Sequence, residues 1–468
     1  MRFLVDYRSM KKRFLILSLM FFSLICANAE YNRLGIPDSS SIRKKLVETW
    51  FEAPLSFVRM NVPEIMTNAI GQRFQVRLEE TEDYFSILVA PHARLSVGVY
   101  SDKGNSTEIQ DVYPGDAPGA WILVKDKKTE KPIKIVYYFA SDSDVFVQFL
   151  PFKNSSLGDF VIFNCYAAKG VSTGLPFERY YSASFAEVVK WTEKMLPWNY
   201  TRIFPENYHS TLQMANIIRE RLPEIIIEDD ACYDENFEPV YISTGKKRKI
   251  DNEYKERLSV SGAGFLKWIS DGIVEPLTGG YLKRDALIRE TVDYKSTGFQ
   301  GILSESYNIF FTLDWIRNLA AGLVSVRTGR NYFFDEAGVD VKVEPFCAEF
   351  TSQGIQNLSG FVTNAGYSAK YLKALLYVLA VTEPETFYFA AIRETDRTRS
   401  PEIQVFNSAG IFFPYFDSKA RFKVIMFKDG KELSFEDFWH IYENDSIFLT
   451  RSYCTEQFYP VSLKNKDF

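Results

Sequence analysis

From about Leu55 to Tyr166 the apolar residues of this chain recur at every second position. Phe74, Val76 and Leu78 alternate with Gln75 and Arg77, and Leu95, Val97 and Val99 alternate with Ser96 and Gly98. Ile133, Ile135, Tyr137 and Phe139 make a third set, and Val145, Val147 and Phe149 a fourth. A period of two sends successive side chains to opposite faces of an extended chain, so each set predicts a half-buried strand. Turn signals lie between them at Lys103-Gly104-Asn105, Pro114-Gly115 and Ser141 to Asp144. Short strands at this spacing predict an antiparallel β-sandwich or jelly roll over residues 55–180. With 46% apolar and 25% charged residues, the 468-residue chain has the balance of a globular protein, which argues against disordered, collagenous and coiled-coil chains. Its 40 Phe and 27 Tyr suit β-rich packing or an adhesive surface, and composition does not choose between them.

Outside this stretch the period lengthens. Ile42, Leu46 and Trp50 fall on one face of a short helix within an N-terminal segment, 30–54. Ser184-Phe185-Ala186-Glu187 has the form of a capping box, and Phe185, Val188, Val189, Thr192 and Leu196 follow on one helical face. A second helix over about 210–222 stops before Pro223, and the region 181–257 reads as a helical connector. Beyond it, helix signals at about 264–277, 307–326 and 366–381 precede strand signals at 387–393, 402–413, 421–427 and 446–453. Asp429-Gly430 marks a tight turn after the third of these strands. Helices first and adjacent strands afterwards predict an α+β domain over 258–468, and the chain as a whole is α+β.

The compartment is written in the first 29 residues. Arg2, Arg8, Lys11, Lys12 and Arg13 precede an uncharged run from Phe14 to Ala27, and Ala27-Asn28-Ala29 offers small residues at a signal-peptidase site. This is the pattern of a secretory signal peptide, so the protein is expected to be exported to the periplasm, the outer envelope or the exterior. The run is short for a membrane span. A lipidated Cys26 is disfavoured because Ile25 before it is bulky, and no later run reaches transmembrane length. Loss of the five basic residues and one acid in the signal takes the formal charge from −5 to −9. No basic stripe survives, so nucleic acid is not an expected partner. The run Lys246-Lys247-Arg248-Lys249 reads as a solvated loop. The remaining Cys165, Cys232, Cys347 and Cys454 allow three disulfide pairings, none chosen by sequence, and lack the C-x-x-C spacing of zinc or thioredoxin-like sites.

The stretch Ser261-Gly262-Ala263-Gly264-Phe265-Leu266-Lys267-Trp268 is a small-residue turn opening an amphipathic helix. Unpaired N–H groups at a helix start favour negative charge and would stabilise a thiolate nucleophile. The turn resembles the Asp-Cys-Ser-Gly-Phe motif that opens the catalytic helix of NlpC-type, papain-like cell-wall peptidases. Matching Gly264-Phe265 to the Gly-Phe of that motif puts Ala263 at its Ser, Gly262 at its Cys and Ser261 at its Asp. The resemblance implies a helix packed on an antiparallel sheet that supplies a histidine. Here the Cys position holds glycine, and the strands from 387 to 427 contain no histidine. A papain-like reaction requires both a nucleophile and a base. The resemblance therefore implies a degenerate, non-catalytic cleft that keeps the capacity to bind a peptide or glycan, with Ser261, Gly262 and Gly264 at its lip. The plainer reading is a glycine-rich helix start that packs tightly.

Other constellations are weaker. The chain has three histidines, His92, His209 and His440, too scattered for a His-based metal site. If activity remains, Cys347 or Cys454 with His440 is the pairing to test. Glu228, Asp229, Asp230, Asp234 and Glu235 cluster around Cys232 without the spacing of a calcium loop and read as an exposed connector. Asp314 and Arg317, three residues apart on a helix, predict a local ion pair or a pair lining a cleft. Trp121, Tyr137, Tyr138 and Phe139 are candidates to stack on sugars or peptides, with core packing as the alternative. No cofactor or metal is expected. The leading reading is a non-catalytic envelope protein that binds a cell-wall polymer or an envelope protein. The alternatives are a cell-wall peptide or glycan hydrolase with an unrecognised site, and a structural assembly protein.

Overall fold

The computed structural model describes residues 36–101, 104–250, 256–293, 308–398 and 400–463. The expected signal peptide, with Cys26 and the Ala-Asn-Ala site, lies outside the described residues. The chain divides into two compact units, one ending at Arg202 and one beginning at Ile203.

The first unit is built on strands β1 (Glu64–Thr67), β2 (Arg73–Glu80), β3 (Tyr84–Pro91), β4 (Ala93–Ser101), β5 (Gly104–Val112), β6 (Trp121–Asp126), β7 (Pro132–Tyr138), β8 (Val145–Phe152), β9 (Ser155–Ile162) and β10 (Cys165–Ser172). All neighbours are antiparallel, in the order β1-β2-β3-β6-β7-β8-β9-β10, and β4 pairs with β5 in a separate hairpin. The alternation read from sequence sets the faces, because Phe74, Val76, Ile135, Val145, Val147 and Phe149 are fully buried. The architecture is antiparallel and sandwich-like, with helical segments from both ends of the unit adding to its cover.

One of those segments is α1 (Ser40–Leu46), which runs on through a π-type turn to Phe51. Ile42, Leu46 and Trp50 are buried together, as their spacing predicts, and Phe51 packs 4.8 Å from Trp121. Arg43 is also buried, between Trp121 and Tyr137, with its guanidinium 5.1 and 5.4 Å from their ring centres. It donates to Ser39 Oγ (2.9 Å), the Tyr181 carbonyl (2.9 Å) and the Ala183 carbonyl (2.7 Å). It thereby ties α1 to the other segment, which leads into α2 (Phe185–Thr192). The capping box of α2 is present: Glu187 N–H donates to Ser184 Oγ, and Ser184 N–H to Glu187 Oε2. Residues 181–257 are thus divided between the units. Val188 and Val189 are buried in the first, while Met214, Ala215 and Ile218 of α3 (His209–Arg221) join the core of the second.

In the second unit β11 (Ile225–Ile227) pairs in parallel with β14 (Leu258–Val260), and β12 (Ala231–Tyr233) pairs with β13 (Pro239–Tyr241). A hairpin, β15 (Ala348–Thr351) and β16 (Gly354–Asn357), follows the long helices α4 (Gly262–Thr278) and α5 (Phe311–Thr328). The main sheet comprises β17 (Tyr367–Ser368), β18 (Thr386–Asp396), β19 (Ile403–Phe416), β20 (Phe422–Lys428), β21 (Lys431–Leu433) and β22 (Ser446–Tyr453). Its order is β17-β22-β18-β19-β20-β21, antiparallel throughout.

Both faces of this sheet are covered. Phe387, Phe389, Ile411 and Phe413 share a core with Phe265, Trp268 and Ile269 of α4 and Trp315, Ile316 and Leu319 of α5. Residues of the other parity turn to α6 (Leu372–Thr382) and α7 (Phe435–Tyr442): Phe412 lies 5.2 Å from Phe438, and Phe416 lies 5.1 Å from Tyr377. Double burial explains why these strands read as near-continuous apolar runs. Asp429 and Gly430 link β20 to β21 with φ of 49° and 65°, the left-handed pair that a two-residue hairpin requires.

Candidate functional site

The start of α4 is the place to look for chemistry, and its local structure follows from its small residues. Ser261 caps the helix, its hydroxyl accepting from Gly264 N–H at 3.1 Å. Ser261 N–H donates to the Ala231 carbonyl of β12 at 2.7 Å. A Cβ on Gly264 would stand 2.1 Å from that same carbonyl oxygen, so the glycine is demanded by the contact of helix and strand. Trp315 Nε1 donates to the Ala263 carbonyl at 2.9 Å and closes the turn from the α5 side.

Gly262 faces a different neighbour. A Cβ there would come within 2.3 Å of Asp429 Oδ1, on the turn between β20 and β21. The helix start, which favours negative charge, already has a carboxylate against it. Lys428 Nζ donates to the other oxygen of Asp429. Burial works against the Lys428 ammonium, but Asp429 and Tyr442 outweigh it and hold its pKa above the ordinary value. A thiol at position 262 would meet an anion where a nucleophilic cysteine needs positive potential.

The other candidates are dispersed. Cys454 is buried, and its sulfur accepts from Thr211 Oγ1 at 3.4 Å. Burial pushes its thiol up to about 12, and does the same for Cys232. Protonated thiols of that kind are poor nucleophiles. His440 is exposed on α7 with its ring 5.3 Å from that of Trp439, and Cys347 is exposed just before β15. Cys454 and His440 are not brought together.

Asp314 and Arg317 are both buried in α5, but they do not form the direct pair their spacing predicts. Thr291 comes between them, donating its N–H and hydroxyl to Asp314 Oδ1 (2.8 and 2.6 Å) and accepting from Arg317 Nη1 (3.1 Å). Arg317 is instead bidentate to Asp340 (3.1 and 3.0 Å), bonds Asn364 Oδ1 (3.0 Å), and lies 4.6 Å from the rings of both Phe334 and Phe448. Burial raises the Asp314 pKa against the hydrogen bonds it accepts from Thr291 and Asn308. The cluster is closed by its own partners, and a strong structural role for α5 follows.

Arg248 does not belong to a solvated run: it is buried, donating to Glu228 and to the Ser259 carbonyl at 3.0 Å. Hydrogen bonds from Ser259, then from Arg248, hold the Glu228 pKa below its ordinary value. Asp230 accepts from Ser243 N–H at 2.7 Å, and Asp234 accepts from the N–H groups of Asn236 (2.9 Å) and Glu238 (2.8 Å). Among the described residues no group of three or more His, Cys, Asp or Glu side chains could hold a metal. Trp121, Tyr137 and Phe139 are core residues, and Tyr138 lies against Phe146 at 5.6 Å. Asp429, Lys428 and Thr291 are the residues that sequence reading missed. The Asp-Gly pair announces its turn but not the helix it touches.

Residues 32–200 match a family model described as a domain of unknown function (DUF8515). The match ends close to the boundary of the first unit and leaves α4 and its turn outside it. No curated protein and no solved structure matches the chain. Among the described residues no helix is long and apolar enough to cross a membrane.

Proposed function

We propose that this is a non-catalytic cell-envelope protein, exported to the periplasm, the outer envelope or the exterior, which binds a wall polymer or an envelope protein partner. The second unit acts in this reading as a degenerate NlpC-type, papain-like domain. The observation that supports it is the start of α4, where glycine stands at the nucleophile position and the Asp429 carboxylate lies against it. Acyl transfer there would need a thiolate and a base; the turn offers a hydrogen atom and an anion. The thiol of Cys454, pushed up to about 12, argues the same way.

The test is incubation of purified protein with isolated cell wall, followed by sedimentation and analysis of the soluble fraction for muropeptides and glycan fragments. The expected result is protein in the pellet and no released fragments. Fragment release that a single substitution outside 261–264 abolishes would overturn the reading in favour of a hydrolase. Protein that stays in the supernatant, with cross-links in the envelope only to copies of itself, would favour the assembly reading.

A further inference from the structure

The β1 edge of the first sheet carries exposed apolar residues on the strand and on the chain either side of it. Strand β1 is terminal in the sheet order and pairs through one side with β2, so among the described residues the backbone N–H and C=O groups of its outer side have no ladder partner. The chain entering, forming and leaving this strand exposes Phe57 (60%), Met60 (70%), Val62 (75%), Ile65 (54%) and Ile70 (78%). Single exposed apolar residues are ordinary. Five within fourteen residues, one on the edge strand and four on the chain flanking it, point to an interaction surface. Its nearby cation is already engaged, because Arg59 is bidentate to Glu80 at 2.9 and 2.8 Å.

We propose that this edge pairs with the same edge of a second copy of the chain, forming a two-fold dimer through antiparallel β1–β1 addition. The sequence of the edge supports that occupant. A two-fold axis perpendicular to a sheet preserves its faces, so it can only place residues of like parity opposite one another. Centred on Met66, it sets Ile65 against Thr67 and Glu64 against Asn68, so no carboxylate meets a carboxylate and the apolar residue covers a β-branched one. Centred on Ile65, it would draw Pro63 into the ladder opposite Thr67, which a residue without an N–H resists. Pro63 therefore fixes the register. The contact is isologous and closes at two copies. Five paired residues are few for a stable interface of about 1,600 Å². Phe57, Met60, Val62 and Ile70 supply the flanking apolar surface, and a concentration-dependent dimer follows.

The test is sedimentation velocity with light scattering on the purified full chain from nanomolar to high micromolar concentration. The expected result is a shift from the mass of one chain to twice that mass. Ile65→Lys should weaken the dimer at least tenfold, and so should Thr67→Pro, whose N–H faces the outer edge. Ile109→Lys, which alters an exposed residue of β5, should leave it unchanged. Thermal melts of the variants verify that each is folded. A chain that stays monomeric throughout overturns the proposal, as does a dimer indifferent to both β1 variants. Monomers that take up an extended peptide or a lipid vesicle at this edge overturn it in favour of that occupant.

Discussion

The two units bury cations in different ways. In the first, the buried Arg43 and Lys125 are met mostly by neutral groups, the one carboxylate being the partly exposed Asp38, 3.8 Å from Arg43. Arg43 has Ser39, two backbone carbonyls and two aromatic faces, and Lys125 Nζ donates to the Phe51 carbonyl at 3.0 Å and sits 5.4 Å from the Phe85 ring. In the second, buried cations meet carboxylates: Lys267 with Asp271 at 2.6 Å inside α4, and Arg317 with Asp340 across two segments. Carbonyls and rings cannot be left charged when the cation is removed, whereas a carboxylate can. The second unit is therefore more sensitive to loss of one partner, and its sensitivity is coupled to pH.

The largest expected effect tests that asymmetry. Lys267→Met strands Asp271 in the core and should cost about 3–5 kcal/mol in chemical unfolding of the second unit. Lys267→Met with Asp271→Leu should recover most of the loss, and a double variant as unstable as the single one would break the comparison. Arg43→Met leaves the Tyr181 carbonyl without its side-chain donor and the Ala183 carbonyl with only Tyr137 Oη at 3.3 Å, and should cost about 1–3 kcal/mol in the first unit. Gly264→Ala drives a methyl into the Ala231 carbonyl and should cost about 1–3 kcal/mol. Gly262→Ala meets only the end of the Asp429 side chain, which can swing away, and should cost less than Gly264→Ala in the same denaturant titration.

The smallest effect is the response to acid. Burial raises the pKa of Asp271 and of Asp314, so each binds its proton more tightly folded than unfolded. Their contribution is present below the unfolded value of 3.8 and is lost as pH rises through the folded one. Glu80 in the first unit is opposite: hydrogen bonds from Arg59, then Lys127, hold it at about 2. Its contribution is present above 4.5 and is lost as pH falls towards 2. Hydrogen exchange from pH 6 to pH 3 should show protection in β2 falling before protection in α4. The reverse order would contradict the assignment.

Much of the fold was legible because one rule governed long stretches. Alternation at Phe74–Leu78 and Val145–Phe149 gave β2 and β8, and the i, i+4, i+8 row at Ile42, Leu46 and Trp50 gave α1. The capping box at Ser184 was legible because it is local. What was not legible depends on distant partners. Arg43 stands beside Lys44 and Lys45 in the sequence, and nothing near it announces Trp121 or Ala183. Asp314 and Arg317 have the right separation for a pair, but Thr291 enters from another loop and takes both. At the candidate site, Gly262 could be read as a missing nucleophile, whereas the carboxylate that fills its place comes from a hairpin turn far along the chain.

That carboxylate is the point on which the functional account rests, and one measurement addresses it. In a Cys347→Ser background, Gly262→Cys places a thiol at the start of α4, and the pH dependence of its alkylation by iodoacetamide gives its pKa. The account predicts a value at or above the ordinary thiol pKa of about 8.5, falling when Asp429→Ala is added. A thiol already well below that value with Asp429 in place would contradict it, because the helix start would then be open to a nucleophile after all.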